Sequence, residues 1–438
     1  MQVGRVIRVL FVTAAAAVAL AACSTPTTVP GDTTTVPGDT TTSTTSTSTT
    51  STSTTTSTST TTTSTSTTTT TSTTTTTVPS SPVVTNRLAS GNNHTCAITT
   101  AGAAKCWGSN AAGQLGNGTT TSSNTPVAVT GLSSGVQSIV AGDSQTCAIN
   151  AAGGVVCWGS NASGQLGGGS TTNRSEPTPV QGLSSGVTVL AAGDNHTCAG
   201  LAAGGVKCWG WGSSGQLGNN AITTTSSPVD VSGISGQVVS LSAGYAHTCA
   251  VLSGGSVKCW GRAGSGQIGN GSTVNSRVPV DVTGATSGGT AVVGGGTHSC
   301  AVVSSAARCW GNNLLGQLGD GSTTDRTTSV AVTNGSPVSA VAAGASHSCA
   351  LFTTGGVKCW GDNASGVLGT GSPSPASSTA PLQVSGLTSG VVEVSAGAAH
   401  TCVLTNANAV RCWGVNAYGQ LGNGGTSSAS SPVTVSGL

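Results

Sequence analysis

The sequence predicts an all-β protein, a seven-bladed β-propeller of four-stranded blades, preceded by a disordered tether rich in Ser and Thr. Three observations predict this organisation. Fourteen of the 15 cysteines fall into seven pairs inside a phrase such as HTCAITTAGAAKCWG, which recurs about every 51 residues. Only 5% of the residues are charged, too few for exposed helices. A run of 38 consecutive Ser or Thr residues precedes the repeats.

Residues 1–22 have the composition of a lipoprotein signal peptide. Arg5 and Arg8 precede an apolar run that is too short for a stable membrane span. The run ends in Leu-Ala-Ala-Cys, which resembles a bacterial lipobox and implies that Cys23 becomes the lipid-modified first residue. We therefore expect an exported protein, lipid-anchored through Cys23 to the outer face of a bacterial membrane. The alternative is an ordinary signal peptide followed by a chance cysteine.

Residues 23–82 are expected to form a lipid-anchored, disordered linker. Residues 40–77 are all Ser or Thr, and such a segment cannot bury enough apolar area to offset its chain entropy. A flexible coil of about 60 residues spans roughly 40 Å. The linker would lift the folded part away from the membrane.

Residues 83–438 contain seven repeats, each with four short apolar segments separated by turn residues, as expected for propeller blades. If Cys96 faces Cys106, the first hairpin has a three-residue loop that ends at Gly102, where a left-handed backbone is needed. The same count gives Gly153, Gly204, Gly255, Gly355 and Asn408. In the fifth repeat the count instead leaves a two-residue loop, Ser304-Ser305.

This register predicts one disulfide in each hairpin if the paired Cα atoms lie near 5.5 Å apart. The predicted pairs are Cys96–Cys106, Cys147–Cys157, Cys198–Cys208, Cys249–Cys259, Cys300–Cys309, Cys349–Cys359 and Cys402–Cys412. Zinc binding is the alternative, but structural zinc needs four converging ligands and these cysteines occur in isolated twos. Seven disulfides suit an oxidising compartment.

The repeated phrases resemble the regulator of chromosome condensation repeat. The resemblance covers residues 86–438 and rests on CWG, with its Trp at 107, 158, 209, 260, 310, 360 and 413, and on GQLG, which begins at 113, 164, 215, 266, 316, 366 and 419. Ile268 and Val367 depart mildly from GQLG. The resemblance implies a seven-bladed propeller.

The family's known functions are varied. Its namesake is a nuclear exchange factor for a small GTPase that binds chromatin, and neither task is open to an exported lipoprotein. A secreted bacterial propeller of the same repeat class instead inhibits β-lactamases through one face of its ring. Because a fold hosts many functions, this resemblance leaves the partner open.

Charge and chemistry-bearing residues exclude several function classes. The propeller has 11 Lys or Arg against 9 Asp or Glu, so we expect no nucleic-acid binding. In six repeats a His stands two residues before the first cysteine, at positions 94, 196, 247, 298, 347 and 400. The second repeat has Gln145 at this position. Gln keeps hydrogen bonding but not catalysis, which favours a structural role over zinc or general-base chemistry. We expect no catalytic residues, cofactor or metal; an envelope hydrolase using Asp143 and Asp194 is the least favoured alternative.

Recognition is expected where one repeat differs from the others on an exposed loop. The candidate contacts are Trp211, Tyr245, Arg262, Leu314, Leu315 and Tyr418. Aromatic, Arg and Leu residues on one rim are typical of protein interfaces. The sequence therefore favours a monomeric, non-catalytic propeller that binds an unidentified extracellular or envelope protein.

Two alternatives remain at this point. One is a module that binds wall polymer or carbohydrate through basic residues before the second cysteines, at 105, 207, 258, 308, 358 and 411. A structural role is favoured over polymer binding: each basic residue lies on a strand, where its aliphatic stem covers apolar surface and its charge reaches solvent. An exchange-factor-like activity by family analogy is the weaker alternative.

Overall fold

The computed structural model describes residues 86–438, which form 28 β-strands in seven four-stranded sheets. This confirms the all-β, seven-bladed propeller. None of residues 86–438 belongs to a helix that could span a membrane. The signal peptide, Cys23 and the linker that were predicted for residues 1–82 lie outside the described residues.

Each blade is built from four consecutive strands, and adjacent strands in the chain are adjacent in the sheet. Blades 1 and 2 contain β1 (Leu88–Ser90), β2 (His94–Ile98), β3 (Ala104–Gly108), β4 (Ser123–Ala128), β5 (Ser138–Ala141), β6 (Gln145–Ile149), β7 (Val155–Gly159) and β8 (Arg174–Pro179). Blades 3 and 4 contain β9 (Val187–Ala192), β10 (His196–Leu201), β11 (Val206–Gly210), β12 (Thr225–Asp230), β13 (Val238–Ala243), β14 (His247–Leu252), β15 (Val257–Gly261) and β16 (Ser276–Asp281).

The remaining three blades follow the same order. Blade 5 contains β17 (Gly289–Gly294), β18 (His298–Val303), β19 (Ala306–Gly311) and β20 (Arg326–Ala331). Blade 6 contains β21 (Val338–Ala343), β22 (His347–Phe352), β23 (Val357–Asp362) and β24 (Ser377–Gln383). Blade 7 contains β25 (Val391–Ala396), β26 (His400–Thr405), β27 (Val410–Gly414) and β28 (Ala429–Thr434).

The hairpin register is the one that the sequence predicts. In blade 1, Cys96 faces Cys106 and Ile98 faces Ala104, and Gly102 has a φ of 78°. In blade 5, Val303 faces Ala306, and both loop residues have a positive φ, 50° at Ser304 and 62° at Ser305. Positive φ at both central residues is the requirement of a type I′ hairpin turn, which here is met without glycine.

All seven predicted cysteine pairs are joined as disulfides, and every one of these cysteines is fully buried. Their Cα atoms are 4.0–4.1 Å apart, closer than the expected 5.5 Å. The physical reason is the pairing itself, because directly opposed residues in the narrow pairs of an antiparallel ladder approach to about 4.5 Å.

Neighbouring blades are joined by a repeated hydrogen-bond circuit, which we describe for blades 1 and 2. The carbonyl oxygen of Gln114, in the GQLG loop of blade 1, accepts from Thr146 Oγ1 and from Trp158 Nε1 of blade 2, both at 2.9 Å. Because the Thr146 hydroxyl proton goes to this carbonyl, His94 Nε2–H of blade 1 donates to Oγ1 at 2.9 Å. All four residues are at most 3% exposed.

The carbonyl part of the circuit recurs at all seven interfaces, including the one between blades 7 and 1. Its other acceptors are Gln165, Gln216, Gln267, Gln317, Val367 and Gln420, with Trp209, Trp260, Trp310, Trp360, Trp413 and Trp107 donating. Val367 substitutes for Gln because the circuit uses the backbone carbonyl. Between blades 2 and 3 the imidazole is absent, and Gln145 Nε2 donates to the Gly193 carbonyl at 2.7 Å.

Burial sets the protonation of the six histidines. Each imidazole is at most 1% exposed, and burial lowers the pKa of His94, His196 and His347 to about 4 and of His247, His298 and His400 to about 3. The unfolded chain therefore binds more protons than the folded chain below pH 6.5. The stability contributed by these neutral side chains is present above pH 6.5 and is lost as the pH falls toward 3 to 4.

Ring closure joins the last blade to the first without a shared sheet. β1 has only three residues, and the carboxylate of Glu393 on β25 accepts from the backbone N–H groups of Leu88 (3.0 Å) and Arg87 (3.2 Å). Ser395 Oγ accepts from Ser90 N–H at 2.9 Å. Burial raises the pKa of Glu393 to about 7, against the opposing effect of these two hydrogen bonds. The Glu393 side chain thus links blade 7 to blade 1, at the seam of the ring.

Replacing Glu393 by Ala should lower the free energy of unfolding by about 1–3 kcal/mol, because two backbone N–H groups at the seam lose their acceptor. The matched control is Glu176→Ala, which removes the only other glutamate of the chain from an exposed site and should change stability by less than about 0.5 kcal/mol. Denaturant titration followed by circular dichroism measures both. Equal stabilities for the two variants would contradict a stabilising role of Glu393 at the seam.

Candidate functional site

The two faces of the ring differ in the loops that they carry. In blade 1, Ser90 pairs with Thr95, His94 with Gly108, and Gly108 with Ser123. The first-to-second and third-to-fourth strand connections of each blade therefore lie on one face, which we call the loop face. The tight second-to-third hairpins lie on the opposite face, the turn face.

All six candidate contact residues belong to the loop face. Tyr245 lies between β13 and β14, and the other five follow the third strand of their blades. Leu314 is 71% exposed, Tyr418 51%, and Leu315 and Tyr245 39% each. Arg262 is also exposed, whereas Trp211 is half-buried. The structure thus brings the six to one face, although spread over blades 3, 4, 5 and 7.

Sequence reasoning missed two further apolar residues of this face. Ile222 in blade 3 is 52% exposed and Val274 in blade 4 is 73% exposed, and both lie in the loops between third and fourth strands. The signal was available, since both are β-branched apolar residues in the part of the loop after GQLG or GQIG, where their neighbours are Gly, Ser, Thr, Asn and Ala. Six of the eight large hydrophobic side chains exposed on the described residues therefore lie on the loop face.

The axis of the loop face opens into a small mouth of about 100 Å³. One side is polar: Asn92, Asp143, Asp194 and Tyr245 occupy the equivalent position of four consecutive blades, and Asn92 Nδ2 donates to the Asp143 carboxylate. The other side presents the small residues of blades 5 to 7 at that position, Gly296, Ala345 and Ala398. The structure therefore does bring the two aspartates of the hydrolase alternative to one opening.

Electrostatics at the mouth follow from burial and from like charge. Burial, and then the nearby Asp143 carboxylate, raise the pKa of Asp194 to about 7. The pKa of Tyr245 is raised by burial and by the same two carboxylates. Near neutral pH the Asp194 carboxyl group is therefore partly protonated. Among the described residues no group of three or more His, Cys, Asp or Glu side chains could hold a metal ion.

A wider channel of about 440 Å³ runs along the axis between the innermost strands. Its wall consists largely of Ala, Val and Ser side chains. Close packing of the seven blades at the mouth requires glycine: a Cβ on Gly91 would overlap the carbonyl oxygen of Gly142, and the same overlap recurs from blade to blade around the whole ring. The mouth is therefore narrow because backbone meets backbone there.

The basic residues before the second cysteines lie away from the loop face. Each is near the start of its third strand and pairs with the end of the fourth, toward the turn face. Lys207 contacts Asp230 and Lys258 contacts Asp281, both at 2.7 Å, and Lys105 donates to the carbonyl of Gly437 at 2.7 Å. Lys358 lies 4.9 Å above the ring of Phe352.

The sequence pattern of the Regulator of chromosome condensation (RCC1) repeat matches residues 105–149, 152–199, 203–251, 254–302, 309–351, 354–404 and 409–438. A second RCC1 repeat pattern matches residues 87–114, 136–165, 187–216, 238–267, 338–367 and 391–420. These matches cover more than half of the chain. The chain belongs to the RCC1 repeat family.

Several known proteins are similar to this chain over part of its length. The probable E3 ubiquitin-protein ligase HERC4 of Homo sapiens is 34% identical over 203 residues, which is 45% of this chain and 19% of the ligase. The chain thus spans about a fifth of the length of that relative.

Two solved structures show the same fold. Human WBSCR16 has a TM-score of 0.68 at 24% identity, covering 76% of this chain and 93% of its own. Prp20p from Saccharomyces cerevisiae, studied for its binding to Gsp1p and histones, has a TM-score of 0.66 at 21% identity, covering 81% of this chain and 87% of its own.

The carboxylate pair at the mouth gives a direct electrostatic test. Asp143→Asn should lower the pKa of Asp194 from about 7, because it removes the like charge, but should leave it above 3.8 because burial persists. Carboxyl-carbon NMR titration measures this shift. The control is Asp281→Asn, on the outer edge of blade 4, which should leave the pKa of Asp194 unchanged. If Asp143→Asn also left the pKa of Asp194 unchanged, the coupling between the two carboxyl groups would be ruled out.

Proposed function

We propose that this chain is a non-catalytic RCC1-repeat propeller that binds another protein through its loop face. The observation that carries the proposal is the position of the exposed hydrophobic side chains, six of eight of which lie on that face. Large apolar and aromatic side chains concentrated on one side of a soluble domain are typical of protein-binding surfaces. Tyr418, Leu314 and Tyr245 are the proposed anchors, with Trp211, Arg262 and Leu315 beside them.

The residues that are constant in the repeat support this division of labour. The repeated Trp, Gln and His residues, with Gln145 and Val367 where a repeat departs, are buried in the contacts between blades, so the ring leaves its loops free for recognition. Prp20p, which has the same fold, binds Gsp1p and histones, so protein binding is a function found on this fold. The proposal for this chain differs in compartment and partner.

We place the propeller outside the cell as part of the same proposal. Seven buried disulfides suit an oxidising compartment, as does the signal-peptide composition of residues 1–22. Lipidation at Cys23 would anchor the chain to the outer face of a bacterial membrane, and residues 23–82 would act as the tether. The ring would act as a monomer toward an extracellular or envelope protein.

Wall-polymer binding has less support. The basic residues that would carry it lie toward the turn face, and two of them are neutralised by Asp230 and Asp281. Ion pairing of this kind reduces the field available to an anionic polymer.

The test is quantitative capture from the native envelope with the immobilised propeller, followed by mass spectrometry. A Leu314→Ser, Tyr418→Ser double variant should lose at least about tenfold of a specific partner, since buried interface anchors contribute more than about 1.4 kcal/mol. The matched control is Val392→Ser, which changes an equally exposed side chain (53%) inside the channel and should capture the partner as the parent does. Identical capture by all three proteins would refute the loop face as the binding surface.

A further inference from the structure

Most blades hold the loop between their third and fourth strands with one buried asparagine. In blade 2, Asn161 Nδ2 donates to the carbonyls of Ser170 and Thr172 at 2.9 Å, and its Oδ1 accepts from the N–H of Leu166 at 3.0 Å. The equivalent residues Asn110, Asn313, Asn363 and Asn416 make the same pattern of contacts and are, like Asn161, at most 1% exposed. This side chain fixes a loop of otherwise little regular structure.

Two adjacent blades lack this asparagine. Blade 3 has Gly212 in its place, where a Cβ would overlap the carbonyl oxygen of Thr223, and blade 4 has the buried Ala263. At this position of each loop the backbone N–H donates to a side chain near the end of the loop, Gly212 N–H to Thr224 Oγ1 and Ala263 N–H to Asn275 Oδ1. The three bonds of the asparagine side chain, each worth about 1 kcal/mol, are absent.

The same two loops carry the exposed apolar residues that the sequence analysis missed. Ile222 lies in the loop of residues 211–224 and Val274 in the loop of residues 262–275. The backbone N–H of Asn220 donates to the carbonyl of Arg277 at 3.0 Å, which docks the blade 3 loop on the fourth strand of blade 4. The two loops and Arg277 therefore form one continuous surface, which we call the variable sector.

Charge on the variable sector is of one sign. Arg262 follows the third strand of blade 4, and the Arg277 stem packs against the loop of blade 3, where its Cγ lies 3.2 Å from a Cβ position on Gly215. Both residues are exposed, and among the described residues neither guanidinium has an ion-pair or hydrogen-bond partner. By contrast, Arg326 of blade 5 is neutralised by Asp320 at 2.8 Å.

We infer that the variable sector receives an acidic segment of the partner in which aliphatic or aromatic side chains alternate with carboxylates. Apolar side chains of the partner would pack on Ile222 and Val274, and its carboxylates would meet the two unpaired guanidinium groups, which suit bidentate pairing. Three departures from the repeat occur together on this sector: the anchoring asparagine is absent, an apolar side chain is exposed, and an arginine is unpaired. No other pair of adjacent blades among the described residues combines all three. This inference rests on the proposed function and names the partner chemistry of that face.

The test is selection of peptides from a random 12-residue display library on the immobilised full chain. Selected peptides should be enriched in Asp and Glu next to Leu, Ile, Val or aromatic residues. Their affinity should fall at least about tenfold in an Arg262→Glu, Arg277→Glu double variant and should weaken with rising salt. Arg174→Glu is the matched control, because Arg174 is an exposed arginine at the start of the fourth strand of blade 2, outside the sector, and should leave the affinity unchanged.

Peptides without an acidic bias, or acidic peptides that bind the double variant as they bind the parent, would overturn the inference. Applied to the captured envelope partner, the same variants separate the two proposals. A partner lost with Leu314→Ser, Tyr418→Ser but kept with the double charge reversal would leave the loop face as the binding surface and refute the acidic segment. A partner lost with both, and kept with Arg174→Glu, would support both.

Discussion

The structure depends on one shared acceptor at each blade interface, the backbone carbonyl of the GQLG loop. At the first interface the Gln114 carbonyl takes one hydrogen bond from Thr146 and one from Trp158, and thereby satisfies three buried polar groups. Buried donors without acceptors cost about 1–3 kcal/mol each, so the circuit determines how closely two blades approach. Only glycine fits at position 116 of the same loop, because a Cβ there would lie 2.6 Å from Trp158 Nε1.

This constraint accounts for what is constant in the repeat and leaves the rest free. Contacts between blades are made by the repeated His, Thr or Ser, Trp, Gln and Gly residues. The cysteines make contacts within a blade. The His, Thr, Ser, Trp, Gln and Cys side chains among them are buried, so they are not available to contact a partner. The residues that differ between blades lie on the loops that the circuit positions, which is why recognition is assigned to the variable loops rather than to the histidines or the basic residues.

Much of the fold could be predicted from the sequence because its determinants are local and repeated. The hairpin loop ending at Gly102 follows from counting between two cysteines, and even the shortened turn at Ser304-Ser305 follows from the same count. For His94 a structural role could be predicted, but its hydrogen-bond partner could not, because Thr146 lies in another blade. The sequence could not predict that Glu393 links blades 7 and 1, or that Asp143 lies close to Asp194. Both depend on how strands far apart in the chain meet around the axis. The exposure of Ile222 and Val274 was accessible from composition and was missed.

The most direct test of the shared acceptor is the free energy of unfolding of Thr146→Val compared with Thr146→Ser. Valine keeps the shape of threonine but leaves His94 Nε2–H without an acceptor and the Gln114 carbonyl with one donor, whereas serine keeps the hydroxyl, as Ser299 and Ser348 do at two other interfaces. The account predicts that valine destabilises by about 2–4 kcal/mol and serine by no more than about 1 kcal/mol. Equal stabilities, or a more stable valine variant, would contradict it.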